Sequence, residues 1–132
     1  MIVLDTHALI WWVSGEVARI GAHGRKSIDR ELAGGGIRVS SISAWEIALL
    51  VRRGRVGLNA DVAVWLATVA AIDGVVFVPV NNAIAIDAVN LPGELHRDPA
   101  DRIIAATARS LDAAVVTGDA KLRAYPHIRT IW

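Results

Sequence analysis

Ile2-Val3-Leu4-Asp5 sets three apolar residues in a row and then an acid, and the same pattern returns late in the chain as Ala113-Ala114-Val115-Val116-Thr117 followed by Gly118-Asp119. A short apolar run without polar alternation marks a strand buried on both faces, as in a parallel sheet covered by helices. Ile37 to Val39, Val75 to Val78 and Ile128 to Ile131 add three more such runs. Helical patterns separate them, so the class is α/β, with a central, mainly parallel sheet flanked by helices. The 132 residues read as a single domain spanning 1–132, with no repeat, linker or low-complexity segment.

The intervening helices follow from caps and breakers. Thr6 is expected to cap a helix over His7 to Val13, and a second helix is expected from Val17 to Leu32, closed by Gly34-Gly35-Gly36. Ser40, Ser41 and Ser43 offer caps for a helix starting near Ala44, which ends in the basic turn Arg52-Arg53-Gly54-Arg55. Asp61 caps Val62 to Ile72, Asn81 to Val89 form the next helix, and Ala120 to Ala124 a short last one.

Between them lies His96-Arg97-Asp98-Pro99-Ala100-Asp101-Arg102-Ile103-Ile104-Ala105-Ala106-Thr107-Ala108. Asp98 can cap, and Pro99 suits the first helical position, where its missing N–H costs nothing. Asp101 falls three residues before Ile104 and four before Ala105, on the inward face, where an unpaired carboxylate is expensive and needs a partner.

Composition excludes several classes. Hydrophobic residues make up 54% of the chain and mean hydropathy is +0.43. Yet the most apolar region, Val62 to Val80, is interrupted by Asp73-Gly74 and Pro79, leaving pieces short of the roughly 20 residues a spanning helix needs. No membrane association is expected, and no signal peptide, since Met1-Ile2-Val3-Leu4 meets Asp5 at once. The apolar surplus, with five Trp, suits a subunit or partner interface. The lack of cysteine removes thiolate metal sites and a Cys nucleophile, and fits a cytoplasmic location. A net charge of +1 gives no polybasic surface, so any nucleic-acid contact must be local.

Four acids sit at element ends. Asp5 and Asp119 follow apolar strands, while Glu46 and Asp101 start apolar helices. In an aligned parallel sheet these ends share one edge, so the four converge. Crowded carboxylates raise one another's pKa unless a cation intervenes, and no Lys or Arg is evidently placed among them. All-oxygen donors suit a hard ion, Mg²⁺ with Mn²⁺ as a substitute, and the chemistry that follows is phosphodiester hydrolysis.

The stretches Met1-Ile-Val-Leu-Asp-Thr-His-Ala-Leu-Ile-Trp-Trp12, Ser41-Ile-Ser-Ala-Trp-Glu-Ile-Ala48, His96 to Ala108 and Val116-Thr-Gly-Asp119 resemble, in order and spacing, the PIN domain, and within it the VapC-type toxins of bacterial toxin–antitoxin pairs. The likeness runs the whole length, to Arg129-Thr-Ile-Trp132. It implies a three-layer PIN-like fold and a Mg²⁺-dependent ribonuclease acting on RNA, a homodimer silenced by a small antitoxin. By position it implies a catalytic set of Asp5, Glu46, Asp101 and Asp119. Asp5, Asp101 and Asp119 would hold the metal, with Asp98 as an alternative ligand and Thr6 and Thr117 in support.

Each residue also has a plainer job. Asp5 can be a strand-end turn residue, Glu46 a helix-start acid, Asp119 a cap, and Asp98 is read mainly as a cap. His96 is expected to orient its loop. Arg97 and Arg102 can hold substrate phosphates or pair with nearby acids. The tryptophans are read mostly as packing residues rather than base-stacking ones. Two rival functions are a catalytically idle PIN-like binding module and a receiver-type signalling domain. The second needs a phosphoacceptor acid after a mid-chain strand, and none follows such a run here.

Overall fold

Ile2, Leu4, Ile37, Val39 and Val116 pack into one apolar cluster while Val3 and Val115 pack into another, so the central strands bury both faces. The computed structural model describes all residues, 1–132. Five strands, β1 (Ile2–Leu4), β2 (Ile37–Ser40), β3 (Val75–Val78), β4 (Ala114–Val116) and β5 (Thr130–Ile131), form one sheet in the order β3-β2-β1-β4-β5. Every pairing is parallel, with Ile2 opposite both Ile37 and Ala114. The helices are α1 (Thr6–Val13), α2 (Ala22–Ala33), α3 (Ile42–Arg52), α4 (Val62–Ala70), α5 (Asn82–Val89), α6 (Pro99–Ser110) and α7 (Ala120–Ala124). They cover both faces, giving the expected three layers. Ile20 and Ile28, the latter in α2, pack with Leu4 and Val116, whereas Ile104 and Ala108 of α6 pack with Val3 and Val115. No helix is long and apolar enough to cross a membrane.

From β1 the chain moves outward through β2 to β3, then returns to place β4 on the other side of β1. The carboxyl ends of β1 and β4 are therefore a switch point, where the connecting segments part and leave a crevice. Asp5 and Thr117 lie at that point, and the Asp5 N–H donates to the Val116 carbonyl at 3.1 Å.

Three local expectations change. The helix expected from Val17 is broken: Val17–Arg19 form a 3-10 turn, Ile20 is extended, and α2 starts only at Ala22. At Gly21 the chain passes against the Trp132 backbone so closely that a Cβ would collide with it. At the start of α1 the cap is Asp5, not Thr6; Asp5 Oδ1 accepts from the Ala8 N–H at 2.8 Å. Thr6 is buried, and its hydroxyl pairs with that of Ser43 at 2.9 Å, tying α1 to α3. Finally, α3 begins at Ile42, with Ser41 at the cap position making no side-chain capping bond, while the Ser40 hydroxyl accepts from the Ile42 N–H at 3.2 Å.

Candidate active site

Asp5, Glu46, Asp98, Asp101 and Asp119 all line one cavity of about 510 Å³ at the crevice beside β1 and β4. Three of these acids are helix caps. Asp5 caps α1, Asp98 caps α6 and Asp119 caps α7, each by its Oδ1. The Asp101 N–H donates to Asp98 at 3.1 Å, and the Lys121 N–H to Asp119 at 2.7 Å. Capping and ligation are thus compatible. The cap fixes the rotamer with one oxygen, and Asp98 and Asp119 keep an Oδ2 without a protein donor. The capped N-termini also turn their positive dipole ends toward the carboxylates, which partly offsets the crowding.

The electrostatics of the cluster follow from burial. Asp5 is 7% exposed, and desolvation pushes its carboxyl above the ordinary range, against the pull of the Thr117 hydroxyl and the Ala8 N–H. Burial raises Glu46 likewise, with Thr6 opposing and the charges of Asp98 and Asp5 adding to the rise. Asp101 is raised to about 6, first by burial and then by Asp98 and Asp119, with its bond to His96 pulling the other way. A cation among these groups would favour their ionised forms. The carboxylate oxygens that line the cavity are donors suited to a hard divalent ion, although Asp5 stands outside the cluster whose donor atoms lie within 4.8 Å of one another, that of His96, Asp101 and Asp119.

The partner that the inward Asp101 requires is a protein group. His96 Nε2 lies 2.6 Å from Asp101 Oδ2, while its Nδ1 is buried without a partner. One donor atom from each of His96, Asp101 and Asp119 lies within 4.8 Å of the others. The sequence reading gave His96 only a loop-orienting role; the spacing of five residues to Asp101 is the signal that could have linked them, since it spans the turn into α6. Thr117 supports from beneath: its hydroxyl accepts from the Asp119 N–H at 3.0 Å.

Arg102 corrects the phosphate-holding expectation. Its guanidinium donates to the carbonyls of Ala88 at 2.9 Å, Leu95 at 2.8 Å and Val89 at 3.2 Å. It clamps the α5–α6 connection and does not line the cavity. Arg97 is exposed and makes no ion pair. The cavity does contain a cation the sequence reading had not placed: Arg19, with its guanidinium 4.6 Å over the Trp11 ring. His7, Trp11 and Trp132 line it as well.

The sequence matches the PIN domain family over residues 2–128. It is 36% identical over 135 residues to Ribonuclease VapC22 of Mycobacterium tuberculosis, an alignment covering 99% of this chain and 98% of that protein. Among solved structures, the DNA-bound VapBC of Salmonella typhimurium aligns with TM-score 0.67 at 24% identity, covering 98% of this chain and 95% of that one. VapBC2 of Rickettsia felis, bound to a DNA fragment from its promoter, aligns with TM-score 0.69 at 17% identity, covering 98% and 97%. At those identities the structural likeness speaks to the fold.

Proposed function

Because this chain belongs to the PIN-domain family, with a full-length VapC ribonuclease relative, we propose that it is a metal-dependent endoribonuclease and the toxin of a toxin–antitoxin pair. The observation that carries this reading is the meeting of five acids in one cavity at the switch point of a parallel sheet. The domain is the whole of residues 1–132, working on RNA in the cytoplasm.

Asp5, Asp101 and Asp119 would hold Mg²⁺, or Mn²⁺ in its place. When bound, such an ion supplies a water of lowered pKa and a positive charge for the phosphate. The protein's own contributions are distinct. The caps of α1 and α7 keep Asp5 and Asp119 in fixed rotamers, which limits the reorganisation needed during reaction. His96 holds Asp101 toward the cavity through Oδ2. Glu46 lines the same cavity, and its proton affinity, raised by burial, would suit it to accept a proton there as a general base. Thr117 braces the Asp119 backbone, and Thr6 ties α1 to α3, the helix that carries Glu46. Asp98 remains chiefly the cap of α6, with its free oxygen at the cavity rim as a further ligand. Of the two arginines read from the sequence as phosphate contacts, Arg97, exposed and unpaired, is the one still free for that role.

The Salmonella and Rickettsia relatives were solved as VapBC assemblies, which supports a small antitoxin as partner here. The exposed apolar side chains Trp45, Val64, Ile86 and Val89 provide surface for that antitoxin and for a homodimer. The test is cleavage of a single-stranded RNA by the purified protein with Mg²⁺, with EDTA and in the Asp5→Asn variant. Cleavage confined to the wild type with metal is expected. Full activity in Asp5→Asn would sink the mechanism.

A further inference from the structure

Among the residues of the cavity that are not acids, Trp11, Arg19 and Trp132 stand out. The two indoles are half-buried, with ring centroids 6.1 Å apart and planes tilted by 57°. His7 tilts against Trp11 at 5.6 Å. Arg19 is the one Lys or Arg lining a cavity that holds five acids, yet it pairs with none of them. Its single ionic neighbour is Glu16 at 3.7 Å, an exposed contact of little strength. Stacking on Trp11 is what holds it, and a guanidinium stacked on a ring keeps its N–H edges free.

This wall is built by specific backbone features. The 3-10 turn Val17–Arg19 carries Arg19 to Trp11. Gly21 leaves room for the Trp132 backbone, and a Cβ on Gly118 would come within 2.7 Å of Trp132 Cζ2. The Trp132 indole therefore lies directly on the loop between Thr117 and Asp119. A guanidinium lying over the Trp11 ring, beside the second indole of Trp132, matches a nucleotide: every base has a π-face, and every linkage has an anionic phosphate. In a duplex those base faces are covered by their neighbours.

We propose that Trp11, Arg19 and Trp132 form a subsite for one unpaired RNA nucleotide, its base against the indoles and an adjoining phosphate on Arg19. This deepens the ribonuclease reading and rests on it. It makes Arg19 the contact that sets the strand against the carboxylates.

The experiment pairs steady-state cleavage of a single-stranded oligonucleotide with binding of the same labelled oligonucleotide to the Asp5→Asn protein in Mg²⁺ buffer, which leaves the strand intact. Arg19→Ala should raise KM and weaken binding by ~5- to 50-fold, with kcat within about threefold and the salt slope reduced by about one. Arg19→Lys should recover part of that loss. Trp11→Ala should weaken single-strand binding by ~5- to 100-fold and Trp11→Phe restore most of it. Arg19 is 58% exposed, so its variants test the subsite even if Trp11→Ala fails to fold. An unchanged KM and salt slope in Arg19→Ala, or a fall in kcat alone, overturns the subsite while wild-type cleavage keeps the ribonuclease reading intact. Binding that needs Arg19 without any wild-type cleavage does the reverse. Absence of binding by the Asp5→Asn protein overturns the subsite.

Discussion

Replacing Asp101 by Asn should stabilise the metal-free protein while removing its activity. In the folded chain the Asp101 carboxyl is raised from 3.8 to about 6, chiefly by burial. A folded pKa above the unfolded one means that ionisation opposes folding. The penalty is absent below the unfolded value, grows as pH rises from about 4 to about 6, and is complete above that. Two pKa units correspond to about 3 kcal/mol at most. The side chain is 17% exposed and faces an open cavity, so solvent screening brings this to ~1–2 kcal/mol. Asn keeps an oxygen that can accept from His96 Nε2, and it loses the repulsion from Asp98 and Asp119. With an unfolding entropy of about 2.1 cal/mol/K per residue, the variant should melt ~4–7 °C higher than wild type near neutral pH. The assay is thermal unfolding of both proteins in EDTA across the acid range. The gap should narrow as pH falls from about 6 and close below about pH 4, where the wild-type carboxyl becomes protonated in both states. A variant less stable than wild type at neutral pH, or a gap that ignores pH, would refute the electrostatic reasoning.

Three further outcomes follow from the same contacts. His96→Ala removes the 2.6 Å bond to Asp101 and should lower kcat by ~10–100-fold, with weaker apparent affinity for Mg²⁺ in a metal titration of cleavage. Arg102→Ala should cost ~2–3 kcal/mol in denaturant unfolding, because three carbonyls of the α5–α6 connection lose a charged donor, while KM for RNA stays put. In the pH profile of kcat/KM, activity should rise as Asp5, Glu46 and Asp101 ionise, at a pH above that of ordinary carboxylates. Raising the metal concentration should move that limb to lower pH, since a cation favours the ionised forms.

Much of the site was readable because its signals are local. The runs ending at Asp5 and preceding Asp119 are parallel strands by composition, and Asp98-Pro99 marks the start of α6 within a single turn. What stayed hidden depends on distant partners. The expected second helix is broken at Gly21, whose backbone is extended and lies where Trp132, at the far end of the chain, leaves no room for a Cβ. That break delivers Arg19 to Trp11, so a residue expected within an ordinary helix became the cavity's cation. The capping of α1 passed from Thr6 to Asp5 because Ser43 of α3 takes the Thr6 hydroxyl. Arg102 looks like a phosphate contact from its neighbours in sequence, and only the path of residues 88–96 shows the carbonyls that claim it. His96 stands five residues before Asp101, a spacing that spans the turn into α6, but only the folded turn shows that the two side chains meet.

The proposed sharing of one divalent ion by Asp5, Asp101 and Asp119 is tested most directly by the anomalous signal of a crystal grown with Mn²⁺. The predicted result is a peak in the cavity within ligating distance of carboxylate oxygens from all three residues. A peak held by Asp98 with Asp101 turned away, or no peak in the cavity at saturating Mn²⁺, would contradict it.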